Sequence, residues 1–156
     1  MDAGHSVLGV DISDVMLSDA RAKTPNATFI KADVFQMELP AQSFDAITVF
    51  FSLSAGSSQD LIRDQIKRMY KWLKSEGVLL LATVPSARDK VRSHFMGRPF
   101  IGSGLSKEEY FECIQQVGFE IVFHSLSYYA PKGVEAGLCK AAESIEEPHL
   151  FVYAKK

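Results

Sequence analysis

Two aspartates near the N-terminus, Asp11 and Asp33, each follow a short segment with strand-like composition and could take part in ligand binding. Asp11 ends an apolar segment at 7–10, and the chain then continues directly into a helix-forming segment. A carboxylate at the carboxyl end of a buried strand can accept hydrogen bonds from both hydroxyls of a ribose. Such an aspartate is also often a simple helix cap or turn former, and the spacing alone leaves both interpretations open.

The elements that would position these carboxylates alternate between strands and helices. This order is typical of an α/β fold with a mostly parallel sheet that is covered on both faces. The predicted elements are a strand at 7–11, a helix to residue 23, strands at 28–31 and 44–51, a helix after the loop 54–58, a strand at 78–84, a loop-rich segment at 85–104, a helix at 106–117, and strands at 119–129 and 150–154. The last two strands are predicted to pair antiparallel at the edge of the sheet.

The helices have clear local signals. Ser13 is a suitable cap for the first helix, and Asp14 would lie in its first turn, near the positive end of the helix dipole. Ser106 and Glu109 have the spacing of a capping box. The helix after residue 58 has apolar side chains at helical spacing, which predicts one buried face: Leu61, Ile62, Ile66, Met69, Tyr70 and Leu73.

Composition limits the classes of function. A chain of 156 residues with 47% hydrophobic and 23% charged residues is predicted to form a single globular domain over residues 1–156. A net charge of −2 favours no nucleic-acid partner, and no apolar run is long enough to cross a membrane, so we expect a cytoplasmic protein. Cys113 and Cys139 are far apart, and the four histidines have no metal-ligand spacing, which predicts no metal site.

Several segments together resemble the class I S-adenosylmethionine (SAM) dependent methyltransferases. The resemblance is carried by the strand that ends at Asp11, by Lys31-Ala32-Asp33-Val34-Phe35, by Phe44-Asp45-Ala46-Ile47 with Phe50-Phe51-Ser52-Leu53, and by residues 69–80. The resemblance is strongest to the small-molecule branch of the family, near the methyltransferases of ubiquinone and menaquinone biosynthesis. No segment matches the glycine-rich turn of that family, so the resemblance implies a Rossmann-like methyltransferase sheet whose first strand–helix unit is missing.

This resemblance implies a cofactor site for SAM. Asp11 corresponds to the acid that binds the ribose, and Ile12 would pack against the adenine. Asp33 corresponds to the acid that receives the adenine amino group, and Val34 would supply a backbone amide. Phe51 lies in the segment that corresponds to the loop beneath the methionine part of the cofactor.

The resemblance also places an acceptor site beside the cofactor. It would be walled by Phe95, Phe100, Tyr128 and Tyr129, with His94 as the side chain able to act as a base near neutral pH. The function implied is methylation of a small, apolar or aromatic acceptor. Two alternatives stay open: an isomerase or cyclase that uses the same fold without SAM, and a non-catalytic partner subunit or truncated chain.

The missing strand has a consequence for assembly. The segments 7–10 and 46–50 are apolar on both faces and carry none of the charges or prolines that protect a natural sheet edge. We therefore expect the two strands to pair directly with each other. The alternative is a homodimer that shares strands between two chains.

Overall fold

A computed structural model describes residues 4–95, 98–129, 135, 137 and 147–156. The contacts group the chain into two compact units, Met1–Leu39 and Pro40–Lys156, and each is described by itself. No helix among the described residues combines the length and the apolar character needed to span a membrane.

The first unit consists of strand β1 (Leu8–Asp11), helix α1 (Asp14–Lys23) and strand β2 (Thr28–Lys31). The two strands form a parallel pair in which Asp11 lies opposite Lys31. These three elements lie where the sequence predicts them. Gly9 lies opposite Phe29, and a Cβ atom at Gly9 would lie 2.5 Å from the Phe29 ring, so the bulky side chain requires glycine on the neighbouring strand.

Local capping explains where helix α1 begins. The Ser13 hydroxyl accepts a hydrogen bond from the Met16 amide, and Asp14 lies in the first turn. Arg21 and Lys23 lie in the last turn, where positive charge is favourable. Leu17 is the buried side chain of this helix.

The second unit contains the larger sheet. Its elements are β3 (Phe44–Phe50), α2 (Gln59–Trp72), β4 (Leu73–Thr83), β5 (Arg88–Phe95), β6 (Arg98–Gly104), α3 (Lys107–Gln116), β7 (Glu120–Tyr129) and β8 (Glu147–Lys155). Four strands form one sheet in the order β3-β4-β8-β7. The β3–β4 pair is parallel, whereas β8 runs antiparallel to both β4 and β7. The α/β class and the antiparallel C-terminal pair are therefore confirmed.

Capping and side-chain burial fix the helices of this unit. Ser58 caps α2, and Ser106 and Glu109 form the predicted capping box of α3. The predicted buried face of α2 is mostly correct, but Leu61 is 40% exposed whereas Gln65 is 1% exposed. Gln65 therefore occupies a core position for which the apolar pattern gave no signal.

The segment 85–104 differs from its predicted loop. It contains an antiparallel hairpin of β5 and β6, in which Val91 lies opposite Gly102. The glycines that suggested a loop instead allow close contacts, since a Cβ atom at Gly102 would lie 2.5 Å from the Phe100 ring. Pro99 lies near the start of β6, before Ile101 and Ser103, whose backbone groups form hydrogen bonds with residues 54–56 on the other edge of the strand.

The predicted direct pairing of the first strand with the strand at 46–50 is wrong. In the structure β1 pairs with β2 and β3 pairs with β4, so the two strands belong to different sheets. Each of the two strands has a parallel partner along its length instead: Leu8–Asp11 pairs with Thr28–Lys31, and β3 pairs with β4. The strand-sharing homodimer stays a prediction.

Candidate functional site

Asp11 lies at the carboxyl end of β1, where the chain turns into α1. Its Oδ1 atom accepts a hydrogen bond from the Ser13 amide at 2.8 Å, and its backbone carbonyl accepts one from Ala32 at 3.1 Å. Within the described part of the chain, Asp11 Oδ2 has no hydrogen-bond partner. The half-buried carboxylate is therefore held in place by one oxygen while the other can accept hydrogen bonds from a ligand.

Asp33 lies two residues after β2, at the same carboxyl edge of this parallel pair. Its Oδ1 accepts a hydrogen bond from the Phe35 amide at 3.0 Å, and its Oδ2 accepts one from Gln36 Nε2 at 2.9 Å. The carboxylate thus organises the turn that follows β2. Each carboxylate oxygen has more than one lone pair, so Asp33 keeps capacity for a further donor.

The side chains beside these acids differ in exposure. Ile12 is 68% exposed directly after Asp11, which leaves an apolar surface next to the carboxylate. Val34 is half-buried in the turn after β2. The structure thus brings Asp11 and Asp33, with their apolar neighbours, to one edge of the small sheet, and their cofactor roles stay a prediction.

Phe51 follows the last residue of β3 and has an unusual backbone conformation. Its φ angle is +53°, a left-handed conformation that costs a residue other than glycine about 1–2 kcal/mol. The Phe51 amide donates a hydrogen bond to the Ala82 carbonyl of β4 at 2.8 Å, which holds the residue in place. Its ring is 45% exposed and lies 4.8 Å from the His149 ring and 6.2 Å from the Phe151 ring, measured between centroids.

His149 is a candidate that the sequence analysis missed. Its ring contacts Phe51 and, at 4.9 Å between centroids, Tyr129. Its Nε2 atom lies 3.9 Å from Glu147 Oε2. These partners come from segments that are distant in the sequence, and no local spacing around residue 149 indicates them.

The predicted acceptor residues lie in two places. Tyr129 joins the ring contacts with His149, whereas Tyr128 faces the opposite side of β7 because successive strand residues alternate. His94 is exposed on the β5–β6 hairpin, opposite Pro99, and Phe100 is half-buried on the same hairpin. The Phe95 side chain and Cys139 lie outside what the structure describes. The structure thus groups Tyr129 with Phe51, and His94 with Phe100.

A comparison with protein families gives a match for the N-terminal part of the chain. Residues 1–77, which include β1, β2 and β3, match a family profile described as a methyltransferase domain. The N-terminal part of the chain, residues 1–77, is therefore similar to methyltransferase domains.

Curated relatives of this chain are longer than the chain itself. A protein named as a methyltransferase in Geobacillus sp. (strain WCH70) is 35% identical over 82 residues, which are 49% of this chain and 33% of that protein. The malonyl-acyl-carrier-protein O-methyltransferase of Enterobacter lignolyticus (strain SCF1) is 27% identical over 118 residues, covering 67% of this chain and 46% of that protein. The chain therefore spans less than half the length of either relative.

Solved structures share the fold of this chain. A protein named as a SAM-dependent methyltransferase, from Listeria monocytogenes, has a TM-score of 0.71 and 19% identity, covering 97% of this chain and 80% of its own. The N1-methyltransferase for 1,6-didemethyltoxoflavin from Burkholderia thailandensis, with S-adenosylhomocysteine bound, has a TM-score of 0.65 and 15% identity, covering 99% of this chain and 63% of its own. The (4+2)-cyclase SpnF has a TM-score of 0.66 and 18% identity, covering 97% and 66% respectively. These similarities confirm the predicted Rossmann-like methyltransferase fold.

Proposed function

We propose that this chain acts as a SAM-dependent methyltransferase whose acceptor is a small, apolar or aromatic molecule. The observation that carries the proposal is the pair of carboxylates, Asp11 and Asp33, at the carboxyl edge of a parallel strand pair within the residues that match the methyltransferase domain. Ligands of open α/β sheets bind outside this edge.

The residues of the first unit fit the adenosine part of SAM. Asp11 has an oxygen available for the ribose hydroxyls, because its other oxygen is held by Ser13. Ile12 offers its exposed side chain to the flat face of the adenine. Asp33 accepts a hydrogen bond from the adenine amino group, and the Val34 amide donates one to the adenine ring. When bound, SAM supplies an electrophilic methyl group on its sulfonium.

The proposal assigns the acceptor to aromatic residues of the second unit. Phe51 and Tyr129 present half-exposed rings, which suit an apolar or aromatic acceptor. In this proposal Phe51 is also the residue beside the methionine part of the cofactor, and Phe95 and Phe100 are further acceptor contacts. Tyr128 faces away from Tyr129 and is left out of the acceptor site. His94 is the proposed base, since an imidazole can take a proton near neutral pH.

Transfer of a labelled methyl group tests this proposal. The full chain is incubated with SAM carrying a radioactive methyl group and with a panel of small phenols, quinols and aliphatic acids, and labelled product is counted. We expect transfer to aromatic acceptors, and we expect Asp11→Ala and Asp33→Ala to reduce it because both remove acceptors for the adenosine.

Asp19→Ala is the matched control, since Asp19 is an exposed aspartate of the same unit that pairs with Lys23. Equal loss in Asp19→Ala would contradict the assigned roles. Conversion of an acceptor without any SAM would instead support the alternative of a cyclase or isomerase, which the fold similarity to SpnF alone does not favour.

A further inference from the structure

Four residues, Phe51, Tyr129, His149 and Phe151, form an aromatic cluster on the four-stranded sheet. They come from three places: the end of β3, the end of β7 and the first half of β8. The cluster lies at the carboxyl edge of the parallel pair, because Phe51 directly follows β3 and His149 precedes Leu150, which pairs with Thr83 at the end of β4. Open α/β sheets bind their ligands outside this edge.

Three of the four aromatic residues in the cluster are partly exposed. Phe51 is 45% exposed, Tyr129 is 50% exposed and Phe151 is 36% exposed. Residues 147, 149 and 151 of β8 share this face because strand residues alternate, whereas Leu150 and Val152 point to the other face and are buried. A group of half-exposed rings, with a strained backbone at Phe51, has the features of a binding surface for a flat apolar group.

The His149 imidazole lies among the rings of this aromatic surface. The His149 Nε2 atom lies 3.9 Å from the Glu147 carboxylate, and the two side chains are 24% and 23% exposed. A carboxylate beside Nε2 favours the tautomer with the proton on Nε2, which leaves Nδ1 as a hydrogen-bond acceptor. Among the residues that the structure describes, no donor lies within hydrogen-bond distance of Nδ1. The cluster thus combines ring surface with the Nδ1 atom as an acceptor for an external hydroxyl.

We propose that the aromatic cluster binds the acceptor and that His149 Nδ1 accepts a hydrogen bond from a hydroxyl group on the acceptor's aromatic ring. The substrate class is therefore a hydroxylated aromatic molecule. Its role as a methyl acceptor rests on the proposed function, whereas the binding itself depends only on residues of the second unit. His149 is an acceptor-binding residue in this proposal, distinct from His94 on the hairpin.

Paired ligands that differ in one hydrogen-bond donor test the proposal without SAM. 2-Naphthol carries a hydroxyl group, and 2-methoxynaphthalene has the same rings but no donor. Calorimetric titration of each into the full chain gives two dissociation constants, and their ratio isolates the hydrogen bond from ring burial. His149→Phe keeps a ring at this position but removes the hydrogen-bond acceptor. We expect it to weaken the binding of 2-naphthol relative to that of 2-methoxynaphthalene by about three- to tenfold, the scale of one hydrogen bond.

His124→Phe is the matched control. His124 lies on the adjacent strand β7, and its ring contacts Phe111 of α3 at 4.7 Å between centroids. We expect this variant to keep the wild-type ratio. Phe51→Ala should weaken both ligands by similar factors, because it removes ring surface and leaves the hydrogen bond.

The proposal is overturned if His149→Phe keeps the wild-type ratio or if the wild-type chain binds neither ligand. Nuclear magnetic resonance of the wild-type chain provides a second measurement, should His149→Phe fail to fold. The His149 ring signals should shift with 2-naphthol more than with 2-methoxynaphthalene, and equal shifts would overturn the proposal. Since SAM is absent, failure of methyl transfer and failure of this binding are separate results.

Discussion

Replacing Gln65 with methionine should stabilise the protein. Gln65 lies on the buried face of α2, between Ile62 and Ile66, and is 1% exposed. Neither its Nε2 nor its Oε1 atom has a hydrogen-bond partner in the described structure. A buried amide without partners loses its hydration and gains nothing in exchange, which costs about 1–3 kcal/mol.

Methionine removes both polar atoms and has nearly the same length. Volume-conserving changes in a core cost less than about 1.5 kcal/mol, and methionine adapts well to irregular space. We therefore expect a net rise in the free energy of unfolding of about 1–2 kcal/mol. For a chain of this size, each kcal/mol corresponds to a rise in Tm of about 2–4 °C.

Urea denaturation followed by tryptophan fluorescence measures this change. Trp72 is the single tryptophan of the sequence and is 5% exposed at the end of the same helix, so its emission reports on this core. Gln115→Met, at an exposed position of α3, is the control and should change stability by less than about 0.5 kcal/mol. A loss of about 1 kcal/mol or more in Gln65→Met would refute the reasoning, because it would show that the amide is hydrogen-bonded.

Two further predictions concern the backbone and a helix cap. Gly118 has φ +108°, and a Cβ atom there would lie 2.7 Å from Tyr70 Oη. Gly118→Ala should therefore destabilise the protein by more than about 1 kcal/mol in the same urea assay. An unchanged urea midpoint would contradict this prediction. A hydrogen bond from the Gln59 amide lowers the pKa of Asp89 from its ordinary value of 3.8. The ionised Asp89 carboxylate therefore stabilises the folded protein above pH 3.8, and this stabilisation is lost as the pH falls through the lowered pKa. The stability difference between wild type and Asp89→Asn should therefore shrink in acid, and a difference that grows in acid would contradict the assignment.

Local signals explain which elements the sequence could predict. Ser13, Ser106 and Glu109 satisfy helix-end amides within three residues, so α1 and α3 were correctly placed. The hairpin of β5 and β6 was missed because Gly102 and Pro99 are typical of loops. Here Gly102 leaves room for the Phe100 ring, and Pro99 lies near the start of β6.

The candidate site was predictable to a different extent in the two units. Asp11 and Asp33 follow consecutive strands, so their shared edge could be read from the order of elements. His149 depends on Phe51 and Tyr129, which only the pairing of distant strands brings to it. Gln65 was missed for a related reason, since hydropathy alone does not indicate a buried amide.

Titration of S-adenosylhomocysteine into the full chain by calorimetry tests the central claim most directly. This ligand carries the adenosine that Asp11 and Asp33 are proposed to bind, and its binding is independent of the acceptor. We expect saturable binding that Asp11→Ala weakens by about 1–3 kcal/mol, the scale for losing buried hydrogen bonds, and that Asp19→Ala leaves unchanged. Absence of binding by the wild-type chain, or equal binding by wild type and Asp11→Ala, would contradict the account.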